Sequence, residues 1–276
     1  MPPAIAAKAA DVGATKAAMD VFRTFTLSVL AGAFIGLGAA FATTVAAGAV
    51  DMPFGVTRLL VGIVFSLGLI LVVVAGAELF TGNNLIVMAW AERRIDARQV
   101  LRNWGLVYAG NLVGALATVL LVFAGQQHEF GGGSVGVSAL TIAQAKSDLG
   151  FGQALALGAL CNALVCLAVW LTYGARSLTD KVVGILFPIS AFVALGFEHS
   201  VANMFFLPIG MLIKEHGSDG FWELTGKEAA DFPDITVGNV VMENLVPVTI
   251  GNVIGGSVMV GLVYWAVYLR GRPDPT

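Results

Sequence analysis

Four stretches of the chain run without a charged residue over more than the roughly 20 positions that a helix needs to cross a bilayer: Thr24 to Val50, Asn103 to His128, Leu149 to Ala175 and Asn244 to Leu269. Two further apolar stretches each carry one glutamate near the middle. Leu59 to Trp90 is split by Glu78, and Val182 to Ile213 by Glu198. The halves read as too short to span alone, so each pair counts as one broken span. The pattern therefore predicts an all-α membrane protein of six transmembrane helices, the second and fifth broken.

Residues 1–23 carry Lys8, Asp11, Lys16 and Asp20 among alanines and read as an amphipathic helix on the membrane surface. They show no apolar core of a signal peptide. Residues 24–270 form the transmembrane domain, and 271–276 a short tail. Lysine and arginine set the orientation. With the N-terminus placed in the cytoplasm, the inside segments hold Lys8, Lys16, Arg23, Arg93, Arg94, Arg98, Arg102, Arg176, Lys181, Arg270 and Arg272. The outside segments hold only Arg58, Lys146, Lys214 and Lys227, so both termini are expected on the cytoplasmic side.

Composition agrees with the pattern. Of 276 residues, 57% are hydrophobic and 12% charged, where a soluble domain is about a quarter charged. The net charge is −3 with no long basic run, which excludes a nucleic-acid binder. Cys161 and Cys166, five apart in an apolar stretch, read as small hydrophobes rather than a disulfide or metal site. No cofactor and no enzymatic chemistry are expected.

The two breaks share a pattern. One reads Glu78-Leu79-Phe80-Thr81-Gly82-Asn83 and the other Glu198-His199-Ser200-Val201-Ala202-Asn203, a glutamate five before an asparagine in each. The next span of each half carries G-N-x-x-G, from Gly110 to Gly114 and from Gly251 to Gly255. Three spans per half force the second half in from the opposite side, so the prediction is an inverted 3+3 repeat. Broken helices at matching positions of such repeats point to a transport site near the midplane.

Within the breaks, Glu78 and Glu198 read first as acceptors for backbone N–H groups freed by the unwinding. His199 reads differently. His128 and His216 fall in loops, which leaves His199 as the only imidazole at membrane depth, and an ionisable group there is a functional hypothesis by default. Thr81 supplies a hydroxyl from the other break. Phe65, Phe80, Phe192 and Phe197 are candidates for apolar constrictions. Gly32 with Gly36, and Gly110 with Gly114, have the small-xxx-small spacing of closely packed helices.

The segments Val74 to Gly82, Gly158 to Ala168 and Gly196 to Asn203 resemble the signatures of the formate/nitrite transporter family, with similarity running from about Phe22 to Arg270. The resemblance implies an aquaporin-like protomer assembled as a homopentamer in the bacterial inner membrane, with a substrate pore in each protomer and a lipid-plugged central hole. It puts the pore histidine on His199, the gating-loop threonine on Thr81, and the vestibule lysine on Lys146. Asn162 and Asn252 become pore asparagines, Glu198 joins the pore beside His199, and the apolar constrictions fall on Phe65, Leu69, Phe80, Val165 and Phe192. Formate channels are the most similar, especially from Arg102 to Asn111 and from Pro247 to Asn252. Gly82-Asn83-Asn84, with Glu78, looks more like the nitrite branch, which keeps nitrite and hydrosulfide as alternative substrates.

A proton-assisted passage fits the energetics. A bare carboxylate in an apolar constriction costs several kcal/mol, and protonating an acid of pKa about 3.7 at pH 7 costs about 4.5 kcal/mol. The partners implied are formate or a similar anion, protons and lipid. A water or glycerol pore would show two Asn-Pro-Ala boxes, and neither break has one. A cytochrome would need a second intramembrane histidine or a methionine pair.

Overall fold

The computed structural model describes residues 2–271; Met1 and most of the expected tail, with Arg272, lie outside them. All regular structure among the described residues is helical. In chain order the α-helices are α1 (Pro2–Ala18), α2 (Val21–Ala46), α3 (Phe54–Ala75), α4 (Val87–Ala91), α5 (Ala97–Ala124), α6 (Ser134–Ser147), α7 (Phe151–Gly174), α8 (Leu178–Ala194), α9 (Ser200–His216) and α10 (Asp219–Thr225). A last helical run covers Asn239–Tyr268. It holds two π-helical stretches, Asn239–Leu245 and Ile254–Leu262, around an α-helical turn pair at Val246–Val253.

Among the described residues, five helices are long and apolar enough to cross a membrane: α2, α3, α5, α7 and the last. The chain is an integral membrane protein. α8 and α9, of 17 residues each, fall short of that length. For the first broken stretch the expectation needs correction. α3 has 22 residues and is long enough by itself, because it starts before Leu59 and takes in Arg58. The guanidinium is accommodated by bonding the carbonyls of Val193 and Ala194 at the end of α8. After the break come only a 3-10 turn, Gly82–Ile86, and the five residues of α4. α6 and α10 were not foreseen; both lie in segments read as loops.

The helix starts follow local chemistry. Asp20 caps α2 by accepting from Arg23 N at 3.0 Å, and Asp96 with Gln99, then Ser177 with Asp180, form capping boxes on α5 and α8. α3 and α8 end alike. Gly76 and Gly196 take φ of +77° and +74°, the left-handed cap that glycine adopts without strain, and the next amides reach back to Val72 O and Phe192 O at 2.9 and 3.0 Å.

Small residues set the packing. A Cβ on Gly114 would fall on the Val29 carbonyl, and one on Gly32 on that of Asn111, so α2 and α5 touch backbone to backbone. α1 is more than a surface helix. Ala6, Ala9, Ala10, Gly13 and Ala17 are buried, and it packs on α4 and the Gly82–Ile86 turn. α6 packs along α9.

Candidate functional site

At the break after α8 the chain leaves the helix at Gly196 and re-enters it at Ser200. The Glu198 carboxylate is 4% exposed and fully engaged. Lys146, from the end of α6, donates to its Oε1 at 2.7 Å; Asn203 and Asn244 donate to Oε2 at 2.7 and 3.2 Å. Asn252 stitches the unwound backbone. Its Oδ1 accepts from Ser200 N at 2.9 Å, and its Nδ2 donates to the carbonyls of Gly158 and Glu198 at 2.8 and 2.9 Å. These bonds satisfy backbone groups that would otherwise be orphaned at membrane depth.

The break after α3 has the same wiring. Lys16, from the end of α1, donates to Glu78 Oε1 at 2.8 Å, and Asn83 to Oε2 at 2.7 Å. Asn103 accepts from Asn83 at 3.0 Å, as Asn244 does from Asn203 at 2.6 Å. Asn111 accepts from Phe80 N at 2.9 Å and donates to the carbonyls of Ser28 and Glu78 at 2.8 and 2.9 Å. Even the amide of Glu78 bonds Leu27 O, as that of Glu198 bonds Leu157 O.

Two cavities flank the breaks and share no lining residue. A cavity of about 540 Å³ is lined by Lys146, Glu198, His199, Phe65, Phe192 and Arg58 among others. A smaller one of about 200 Å³ is lined by Lys16, Glu78, Leu69, Leu79 and Asn83 among others. One contact links the breaks directly: Thr81 Oγ1 lies 2.9 Å from His199 Nε2, both side chains buried. His199 Nδ1 accepts from Ala202 N at 3.0 Å. That bond leaves Nδ1 without a proton, so the ring is the neutral tautomer with its hydrogen on Nε2. Phe192 stacks on the imidazole at 5.8 Å and 17°.

Residues 3–266 match the family described as formate/nitrite transporter. The chain belongs to the formate/nitrite transporter family. It is 47% identical over 270 residues to the formate channel FocA of Escherichia coli (strain K12), covering 98% of this chain and 95% of that one. The formate channel FocA of Haemophilus influenzae is 39% identical over 247 residues, 90% of this chain and 87% of the relative. Among solved structures, a pentameric formate channel with formate bound superposes with a TM-score of 0.83 at 46% identity, covering 91% of this chain and 98% of that one.

The residues that the formate/nitrite transporter resemblance singled out do not all meet. Lys146, Glu198, His199, Phe65 and Phe192 line one cavity and Leu69 the other. Thr81 joins them through His199. Asn162, wholly buried, donates to Thr81 O at 3.2 Å, Asn84 Oδ1 at 2.7 Å and Asn252 O at 2.7 Å, so it braces both breaks from α7. Phe80 lines neither cavity. It turns toward α5, edge-on to Tyr108 and Trp104 at 5.0 and 6.2 Å, and Leu79 takes the cavity-facing place. Val165, buried on α7, also lines neither. Sequence reasoning missed Lys16, Asn103 and Asn244. The signals were present: Asn103 and Asn244 each precede the G-N asparagine by eight, and Lys16 and Lys146 each precede by 12 the residue, Ser28 or Gly158, whose carbonyl that asparagine bonds.

Proposed function

We propose that the protein conducts formate, a small monovalent weak-acid anion, across the bacterial inner membrane through a pore in each protomer of a homopentamer. The protomer has six spans in an inverted 3+3 repeat, α8 and α9 forming one of them across the break, and both termini are cytoplasmic. Support for the repeat is the matched hydrogen bonding at the two breaks. Support for formate and for the pentamer is the likeness to formate channels over nearly the whole chain.

The observation that carries the site is the Thr81–His199 pair between the two cavities. The ring's acceptor nitrogen is held by Ala202 N, so Nε2–H donates to Thr81 and the threonine hydroxyl is free to donate onward. The chain of donors ends where an anion passes from the Lys16 cavity to the Lys146 cavity. His199 assists by relaying a proton: once the ring gives up its bond to Ala202 N and takes a proton on Nδ1, Nε2 passes its own to the Thr81 hydroxyl, which passes one to the anion. Phe65 and Phe192 narrow the path on one side and Leu69 and Leu79 on the other, where shedding charge favours passage.

Uptake of labelled formate and of nitrite by proteoliposomes, with internal pH recorded, tests this. Formate uptake with internal acidification is expected. Formate uptake without any pH change removes proton assistance and keeps the channel. Nitrite uptake without formate uptake moves the protein to the nitrite branch.

A further inference from the structure

We infer that Arg58 supplies the uncompensated positive charge that draws the anion into the Lys146 cavity. It, rather than Lys146, then governs capture of dilute substrate from that face. The inference rests on the anion-conducting reading above.

Three formally charged side chains line that cavity: Arg58, Lys146 and Glu198. Lys146 and Glu198 are bonded at 2.7 Å and largely cancel at a distance. Arg58 is bound only to neutral acceptors, through Nε to Ala194 O at 3.1 Å and Nη2 to Val193 O at 2.5 Å. Those carbonyls end α8, and the negative end of a helix carries about half a charge, so it anchors a full cation without neutralising it. No carboxylate among the described residues lies within 4.0 Å of the guanidinium. The group stands at the break itself, with Nη2 3.2 Å from where a Cβ on Gly196 would sit. The opposite cavity has no such excess. Among the described residues its charged lining is Lys16 and Glu78, paired at 2.8 Å, and the position matching Arg58, 120 residues on, is Leu178.

Screening separates attraction from anchoring. A solvent-facing charge reaches about 30 Å at 0.01 M salt and about 10 Å at 0.1 M, whereas the bonds to α8 do not depend on salt in this way. Labelled formate uptake would be measured into zwitterionic vesicles of known sidedness at those two ionic strengths. For the wild type, the half-saturating concentration should rise with salt from the Arg58 face and stay level from the Lys16 face. Arg58→Gln should raise the low-salt value by about 3- to 10-fold and flatten its salt dependence; Arg58→Lys, which keeps the charge, should retain that dependence. Salt dependence surviving in Arg58→Gln overturns the inference. So does a wild type insensitive to salt from the Arg58 face, or equal losses in both variants at every salt, which would assign Arg58 to holding α8. Should Arg58→Gln fail to assemble, the two-face comparison of the wild type decides. A wild type that takes up no formate under any condition overturns the transport reading itself, a distinct outcome.

Discussion

At the break after α3, Leu79 stands where His199 stands after α8, and Thr81 stands where Val201 does, while Glu, Asn, Lys and the two supporting asparagines match position for position. The shared residues all hold backbone or carboxylate in place. Four positions between glutamate and asparagine differ, and two of those differences meet between the cavities: one break contributes the imidazole, the other the hydroxyl, and the contact of 2.9 Å needs both. The matched residues therefore account for the scaffold, and the differing ones for the chemistry. The lysines differ too. Lys16 donates to both Glu78 and Asn83, at 2.8 Å each. Lys146 donates to Glu198 and lies 5.5 Å over the Phe206 ring, leaving Asn203 Oδ1 with no protein partner.

If the asparagines are the shared scaffold, removing them should do the most damage, and equally. Asn111→Leu and Asn252→Leu each orphan one backbone amide and the carbonyl of the glutamate at the break, and remove the bond to the carbonyl of Ser28 or Gly158. At about 1–3 kcal/mol for a buried orphan, each variant should lose more than about 3 kcal/mol. Thermal unfolding of the detergent-solubilised oligomer measures this. A difference between the two of more than about 1 kcal/mol would break the claim of common wiring.

Next in size is the effect of the residues that diverged. His199→Phe fills the ring's space beside Phe192 and removes the donor to Thr81, so formate uptake should fall at least about tenfold, a lower bound on the loss of one positioned proton donor, while the oligomer stays folded. Leu79→Phe at the matching site alters only the wall of the smaller cavity and should leave the pH profile as it is. Equal pH profiles from pH 5 to 8 in wild type and His199→Phe would remove the histidine from the mechanism.

What the sequence let one read follows the same division. Glu78, Glu198 and His199 were legible because a charged or ionisable group in an apolar run is conspicuous. Thr81 was legible as a hydroxyl in the partner break, whereas its gating-loop role and Asn162 came through family resemblance, since an amide in a span has no signature of its own. Lys16 was hidden for another reason: it lies in a segment whose alanines and mixed charges read as a surface helix, and only the fold brings it 62 residues along the chain to Glu78. Phe80 was named as a constriction residue from its place in the broken span and from the resemblance; its amide is tied to Asn111, and the ring packs toward α5. The extent of α3 was underestimated because Arg58 read as a loop charge.

A smaller effect is expected from the lysines, because Asn83 and Asn203 continue to donate to the carboxylates. Lys16→Ala should cost about 2 kcal/mol and Lys146→Ala somewhat less, in line with a pair whose partner stays partly satisfied. Glu78→Gln added to Lys16→Ala should recover most of that loss in the same melting experiment. Lack of recovery would mean that α1 contributes through its alanine packing alone. Removing residues 2–19 adds a functional reading, since Val12 and Lys16 line the smaller cavity. If α1 gates that cavity, the truncated protein should lose any closure that depends on cytoplasmic pH.

The smallest effect comes from outside the spans, and it has to be separated before any pH profile is credited to His199. His128 follows α5, stacked on Phe123 at 4.8 Å and edge-on to Phe221 of α10 at 5.6 Å, with Nδ1 unpartnered. Burial between the rings holds its pKa below the usual value, with Glu129 opposing the shift only in part. The unfolded segment thus binds the proton more tightly than the folded one, so the contribution of His128 is fully present above the unfolded pKa of about 6.5 and is lost as pH falls below it. Hydrogen exchange of residues 218–232 should quicken modestly between pH 7 and 5 in the wild type, after correction for the intrinsic rate. His128→Phe keeps the stack without the charge and should abolish that change while leaving the pH dependence of formate uptake intact. Uptake that loses its pH dependence in His128→Phe would move the pH response from the pair between the breaks to the C-terminal end of α5.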